Sequence, residues 1–252
     1  MMRRFIATLW TLVIFAGLAS AQDKTAPSNR RPLLGEDLPV FAHINFGFQS
    51  QRQDFRQGAQ FPLYDETASW DAVHEFKGGA TFDIGGAVGL RKLSPLLRNV
   101  SAGVTYTARS THRRDVIVDV QAPHPIFTDS VRNVAATLPD LQHSERAVHI
   151  QALYHLPITA DFGAAFFAGP SVFSVRDEFI QVVTITEAGG DLSAVNVETT
   201  RSRQRDTVGG LNVGAEGRYT FLRDLTFIRE VGVGALVRYS RGSVRLALPG
   251  DT

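Results

Sequence analysis

The stretch VFAHINFGFQ, Val40 to Gln49, alternates with a period of two. Val40, Ala42, Ile44, Phe46 and Phe48 share one parity, and His43, Asn45, Gly47 and Gln49 the other. Successive side chains of a strand point to opposite faces, so these residues predict a strand with one oily and one wet side.

Working outward, the same alternation recurs along the chain. A second strand puts Phe76, Ala80, Phe82, Ile84, Val88 and Leu90 on the oily face, and Glu75, Lys77, Thr81 and Asp83 on the wet one. In the third, Val100, Ala102, Val104, Tyr106 and Ala108 oppose Ser101, Thr105, Thr107 and Arg109. In the fourth, Val148, Ile150, Ala152, Tyr154 and Leu156 oppose His149, Gln151 and His155. The fifth, about 162 to 175, is ambiguous, because Phe162 and Phe166 have one parity and Phe167 and Phe173 the other. The sixth sets Leu211, Val213, Ala215, Gly217 and Tyr219 against Asn212, Glu216 and Arg218, and the seventh sets Val231, Val233, Ala235, Val237 and Tyr239 against Arg238.

Ahead of these strands, Arg3 and Arg4, an apolar run from Phe5 to Leu18, and the small residues Ala19-Ser20-Ala21 form an export-signal pattern, with cleavage expected between Ala21 and Gln22. The apolar run falls short of the roughly 20 residues a helical span needs. No later stretch is long and apolar, so any crossing of a membrane must be made by strands. Residues 22–39 are polar, with Pro27, Pro32 and Gly35, and are expected to be a periplasmic linker into a domain over 40–252.

Composition fits this reading. Of 252 residues 44% are hydrophobic, 22 are glycine and none is cysteine, which excludes a disulfide scaffold. Without residues 1–21 the chain carries 24 Lys and Arg against 25 Asp and Glu, a balance that gives no support to nucleic-acid binding. Half of each strand of a transmembrane barrel faces a polar lumen, which explains the middling hydropathy.

The expected fold is therefore all-β: an antiparallel transmembrane up-and-down β-barrel. The links at 92–98, 157–161 and 222–229 are short, and those at 51–74, 110–146 and 176–206 are long. Bacterial barrels keep short turns in the periplasm and long loops outside, so the first strand enters from the periplasm. Aromatics gather at both expected membrane edges: Tyr154, Phe162, Tyr219 and Phe221 by the short turns, and Phe76, Tyr106 and Tyr239 by the long loops. Val116, Val118 and Val120, and the run from Ile180 to Thr186 facing Val195 to Thr199 across Gly189-Gly190-Asp191, predict hairpins within those loops. Ile126, Phe127 and Val131 must pack on something: burial among the loops themselves is the first expectation, and a partner the second.

The residues Phe41-Ala-His-Ile-Asn-Phe-Gly-Phe48, Gly85-Gly-Ala-Val-Gly89, Ala147-Val-His-Ile-Gln-Ala-Leu-Tyr154 and Gly232-Val-Gly-Ala-Leu-Val-Arg-Tyr239, behind an export signal, resemble the bacterial outer membrane proteins with a small β-barrel domain. In build these are the eight-stranded barrels of outer membrane proteins A, X and W. The resemblance covers about 40 to 241 and is one of pattern. It implies the outer membrane, lipopolysaccharide and other outer-membrane lipids as surroundings, the barrel assembly machinery during insertion, and a monomer. Such barrels have even strand numbers and end on an aromatic residue. Seven strands are visible before Leu248-Pro-Gly-Asp-Thr252, so a truncated chain lacking its eighth strand is the expectation.

The wet-face charges Glu75, Lys77, Asp83, Arg109, Glu216, Arg218 and Arg238 are expected to pair as a structural network filling the lumen, since an eight-stranded interior is just wide enough for side chains. Val104→Arg should disturb assembly, while Thr105→Arg should be tolerated in that lumen. His143, His149 and His155 share the wet parity, but steps of six residues at about 3.3 Å hold neighbours roughly 20 Å apart, too far for one ion. Ser110, His112, Asp115, His143, Ser144 and Glu145 cluster near the outer rim without the local motif of a barrel lipid-modifying enzyme. Glycines 85, 86 and 89 open no helix and so form no nucleotide loop. No catalytic, metal or cofactor-binding residue is assigned. The expected function is a non-enzymatic envelope anchor whose loops contact an unknown surface ligand. A narrow channel for small or apolar solutes is second and an outer-membrane lipid-modifying enzyme a distant third.

Overall fold

The structure is a computed structural model that describes residues 5–16, 40–49, 53–76, 78–112, 116–138, 141–190, 192–223 and 230–243. It is all-β, with antiparallel strands. In chain order they are β1 (Phe5–Ala16), β2 (Val40–Gln49), β3 (Gln53–Leu63), β4 (Glu66–Phe76), β5 (Gly79–Gly89), β6 (Val100–His112), β7 (Val116–Pro123), β8 (Val131–Leu138), β9 (Gln142–Pro157), β10 (Phe162–Ala188), β11 (Ala194–Arg223) and β12 (Glu230–Gly242).

The main sheet has the order β1-β12-β11-β10-β9-β6-β5-β2, and β1 pairs with β2 as well as β12. Each strand thus lies beside its predecessor in that sheet, as short turns and hairpins dictate. All seven strands read from the sequence are present in it. Their parity holds: Phe46, Phe48, Val104, Ile150, Phe166, Val172, Leu211 and Val213 are exposed, whereas His43, Asn45, Asp83, Thr105, His149, Gln151, Asn212 and Arg238 are buried. The open question of the fifth strand resolves on β10, where Phe162 and Phe166 are exposed and Phe167 is buried.

Three expectations change. The place beside both the first and seventh strands, expected to be vacant, is held by β1, made from residues read as the export signal. Its Phe, Trp, Ile, Val and Thr content gives that run high strand propensity alongside its hydrophobicity. Second, Glu75 and Phe76 do not continue into the second strand: they end β4, which belongs to a separate sheet ordered β3-β4-β7-β8. Third, the long links at 51–74 and 110–146 supply that second sheet instead of loose loops.

β3 and β4 join through Tyr64 and Asp65, both with positive φ (54° and 62°), the geometry of a two-residue hairpin turn whose twist matches the strands. Pro62, which can donate no ladder bond, sits on the edge strand β3, where that costs least. The second sheet has its own core of Trp70, Ala72, Val116, Val118, Val120, Leu138 and Leu141, to which Ile180 and Val183 of β10 are added. The outer halves of β10 and β11 pair far beyond the other strands, from Arg176↔Arg205 to Ala188↔Ala194, with a bulge at Ile180/Val182. Buried Gln57 fastens the two sheets: its Nε2 donates to the Ile180 carbonyl (2.5 Å) and its Oε1 accepts from the Ile180 N–H (3.3 Å).

Candidate functional site

The inner face of the main sheet is a filled polar interior with one apolar layer. Phe41, Ala87, Leu153, Phe167 and Leu236 form that layer from five different strands. Arg218 and Arg238 lay their guanidiniums 6.0 Å from the Phe41 ring and 5.8 Å from the Phe167 ring, and His155 meets Phe41 edge-on at 5.9 Å. Cations over aromatic faces are a low-cost way to bring charge into a narrow space. Gly85 keeps the wall thin where His43 needs room, since a Cβ there would lie 2.6 Å from the Val104 carbonyl oxygen and 2.8 Å from the His43 ring.

The expected charge network separates into groups. Asp83 and Arg238 meet at 3.1 Å, both almost fully buried, close but without hydrogen-bond alignment, and Arg238 also donates to Thr107 at 2.9 Å. Arg109 turns instead to Glu145 at 3.3 Å. Glu216 is buried on β11, and Arg218 lies two residues on, against Phe41. Glu75 is in the second sheet, opposite Asp54, so it lies outside the interior. Lys77, Ala21 and Gln22 lie outside the described residues, as does Asp115.

Uncharged groups do much of the joining that charges were expected to do. Thr105 donates to Gln151 (3.1 Å), Gln151 to Asn212 (2.7 Å), and Asn212 to Ser171 (2.8 Å), whose hydroxyl meets His149 Nδ1 at 2.7 Å. Four strands are bridged by this one chain of hydrogen bonds. Thr105 is wholly buried within it and also meets His43, so the interior has no room for an arginine there, and the expectation that Thr105→Arg is tolerated does not hold.

Near the outer end, His143 lies 2.8 Å from Glu145 and 3.4 Å from Asp177, and Glu145 also meets Arg109. Glu145 and Asp177 escaped the sequence reading as interior residues because both strands continue past the ends assigned to them. Their parity with His149 and Val175 was the available signal. Ser144, adjacent to His143, has the opposite parity and so the opposite face, which keeps its hydroxyl from that imidazole. The three wet-face histidines stand apart as expected, His149 with Ser171 and His155 with Ser101 at 2.9 Å. Among the described residues no three His, Cys, Asp or Glu side chains gather as a metal ion would require.

No protein-family model and no curated protein matches the chain. The site therefore stands on its geometry. Two cavities on the inner face are small, about 50 Å³ beside His149 and Arg238 and about 10 Å³ beside His155 and Glu216, each with room for a few waters at most. A larger groove of about 590 Å³ runs past the outward Phe46, Phe82, Arg146, Arg176 and Arg203 and reaches the inward Thr81, Arg109 and His143.

The second sheet is held over the outer end by Glu187, whose carboxylate accepts from Arg132 at 2.6 and 2.9 Å and from the Tyr64 hydroxyl at 2.7 Å. Those bonds, the Arg132 guanidinium first, hold the Glu187 carboxyl at about 2, well below its ordinary 4.5. The same carboxylate raises the Tyr64 phenol above its usual range. At the β7–β8 turn Ile126 and Phe127 are about two-thirds exposed, against the expectation that they would be buried among the loops.

Proposed function

We propose that the protein is a small, non-enzymatic outer-membrane β-barrel, made by the main sheet, that anchors in the envelope and displays an ordered second sheet for contact or adhesion. The observation that carries this reading is the inversion of burial: large apolar side chains cover the outside of the main sheet while histidine, amides and charges fill its inside. Water gives no reason for that arrangement, and hydrocarbon does. On β9 the apolar outer band runs from Val148 to Leu156, eight steps of about 3.4 Å, which at a tilt of about 40° spans roughly 20 Å.

The side chains that meet across the inside, Phe41, Phe167 and Leu236 among them, support an anchor over a channel. Residues 1–21 remain proposed as the export signal, cut between Ala21 and Gln22. A cleaved segment cannot also be β1, so in a processed protein another strand must cover the facing edges of β12 and β2, whose unpaired backbone groups would each cost several kcal/mol in lipid. Cell fractionation and planar-bilayer recording test the proposal together. Heat-modifiable migration with outer membranes and no unit conductance is the expected result. Recovery in the soluble periplasm would refute the location, and discrete conductance steps would favour the channel.

A further inference from the structure

The outer face carries a feature that membrane anchoring leaves unexplained. Directly above the apolar band, Arg146 on β9, Arg176 on β10 and Arg205 on β11 occupy adjoining outward positions: Arg146 is paired with Ser174, and Arg176 with Ser144 on one side and Arg205 on the other. All three side chains are on the exposed side of the sheet. Arg205 spends one N–H on Ser174 at 3.0 Å, and Arg203, one step farther out, is held by Glu178. Among the described residues, Arg146 and Arg176 meet no carboxylate. The nearby acids Glu145, Asp177 and Asp206 have the inward parity, and among the described residues nearby Glu178 is the acid on the row's own face, where it holds Arg203. Arg146 and Arg176 line the 590 Å³ groove together with Phe46 and Phe82, whose rings pack at 5.3 Å and continue the apolar band, while Arg205 adjoins Arg176 outside that lining.

We propose that this row is a binding site for the phosphate groups of an anionic lipid of the surrounding leaflet, the acyl chains lying along Phe46, Phe82, Val148 and Val172 below. The proposal rests on the outer-membrane reading and names one partner within it. Guanidinium groups suit phosphate because they offer planar pairs of donors, and neighbouring arginines repel one another unless an anion lies between them. Their height is the second constraint. Arg146 is only two residues beyond Val148, where the apolar face ends, so its charge sits at headgroup depth. A soluble anion would need no apolar groove beneath it.

The test uses the full chain inserted in phosphatidylcholine vesicles containing a small fraction of labelled diphosphorylated lipid A, with retention of label by the detergent-extracted protein as the readout. Arg146→Gln/Arg176→Gln should lower retention by roughly tenfold or more, from two lost surface cations. Arg98→Gln, an exposed arginine at the opposite end of the sheet, should leave it unchanged. Protease resistance of the inserted variants shows that the comparison is between folded proteins. Lipid A stripped of phosphate should not be retained. Equal retention by the wild type and the double variant would overturn the site while leaving the membrane reading intact. Displacement of the lipid by inorganic phosphate at equal concentration would assign the row to a free anion and overturn it too. Failure to insert in vesicles of any composition would refute the outer-membrane reading and the proposal with it.

Discussion

Asp83 and Arg238 show what a buried charge does in this interior. Removing one member leaves the other without its counter-charge in a low-dielectric space, at a cost of about 3–5 kcal/mol, while replacing both with apolar residues of like size is close to neutral. Asp83→Leu is therefore expected to lower the denaturant midpoint of the folded protein strongly, and Asp83→Leu/Arg238→Met to recover most of it. Equal loss in the single and double variants would mean that the pair does not act as a unit. On the other face, Val104→Arg should cost roughly 2–4 kcal/mol if Val104 lies near the bilayer midplane, read as a loss of insertion into vesicles. Parity alone made Val104 legible as outward. The crowding that bars arginine from Thr105 was not legible, because it comes from His43 and Gln151, 62 and 46 residues away.

Among the elements, the second sheet is where sequence patterning reached least far. Its β7 was visible through Val116, Val118 and Val120, but β3 and β4 were not, since the Tyr64-Asp65 turn lacks the Asn-Gly or Asp-Gly signature and β3 carries polar residues on both faces, Gln57 on one and Arg56 and Gln60 on the other. The attachment of that sheet through Glu187 is expected to depend on pH. Glu187 has a folded value of about 2 against 4.5 ordinarily, so its contribution is complete above about 4.5 and is lost as pH falls from there through 2. Amide exchange in β8 and in the half of β10 beyond Arg176 should thus rise across that acid range, with the parts of the strands paired within the main sheet unchanged, and Glu187→Gln should show the raised exchange already at neutral pH. A flat profile in the wild type would show that Arg132 and Tyr64 do not hold the sheet through this carboxylate.

For the molecule as a whole, β1 holds the place between β12 and β2, and processing after export decides whether it stays there. The intact mass of the protein recovered from outer membranes addresses it: loss of residues 1–21 is expected, and a mature chain that keeps Phe5–Ala16 would make β1 a permanent member of the sheet. If the second sheet displays a contact surface as proposed, binding of a partner there should require the exposed Ile126 and Phe127. Ile126→Ser/Phe127→Ser is expected to abolish adhesion without altering heat-modifiable migration.

The sequence by itself determined seven of the eight strands of the main sheet and the faces of all of these but β10, because side-chain parity is a property of neighbours in the chain and survives any arrangement of the strands. Only the tertiary structure decided the rest: that Arg109 joins Glu145 rather than another predicted lumen charge, that Glu75 leaves the interior for a second sheet, and that Arg146, Arg176 and Arg205 adjoin. These depend on which residues of distant strands stand opposite one another, a matter of register. Register is set by packing and hydrogen bonding across the whole sheet, not by the order of residues along any one strand.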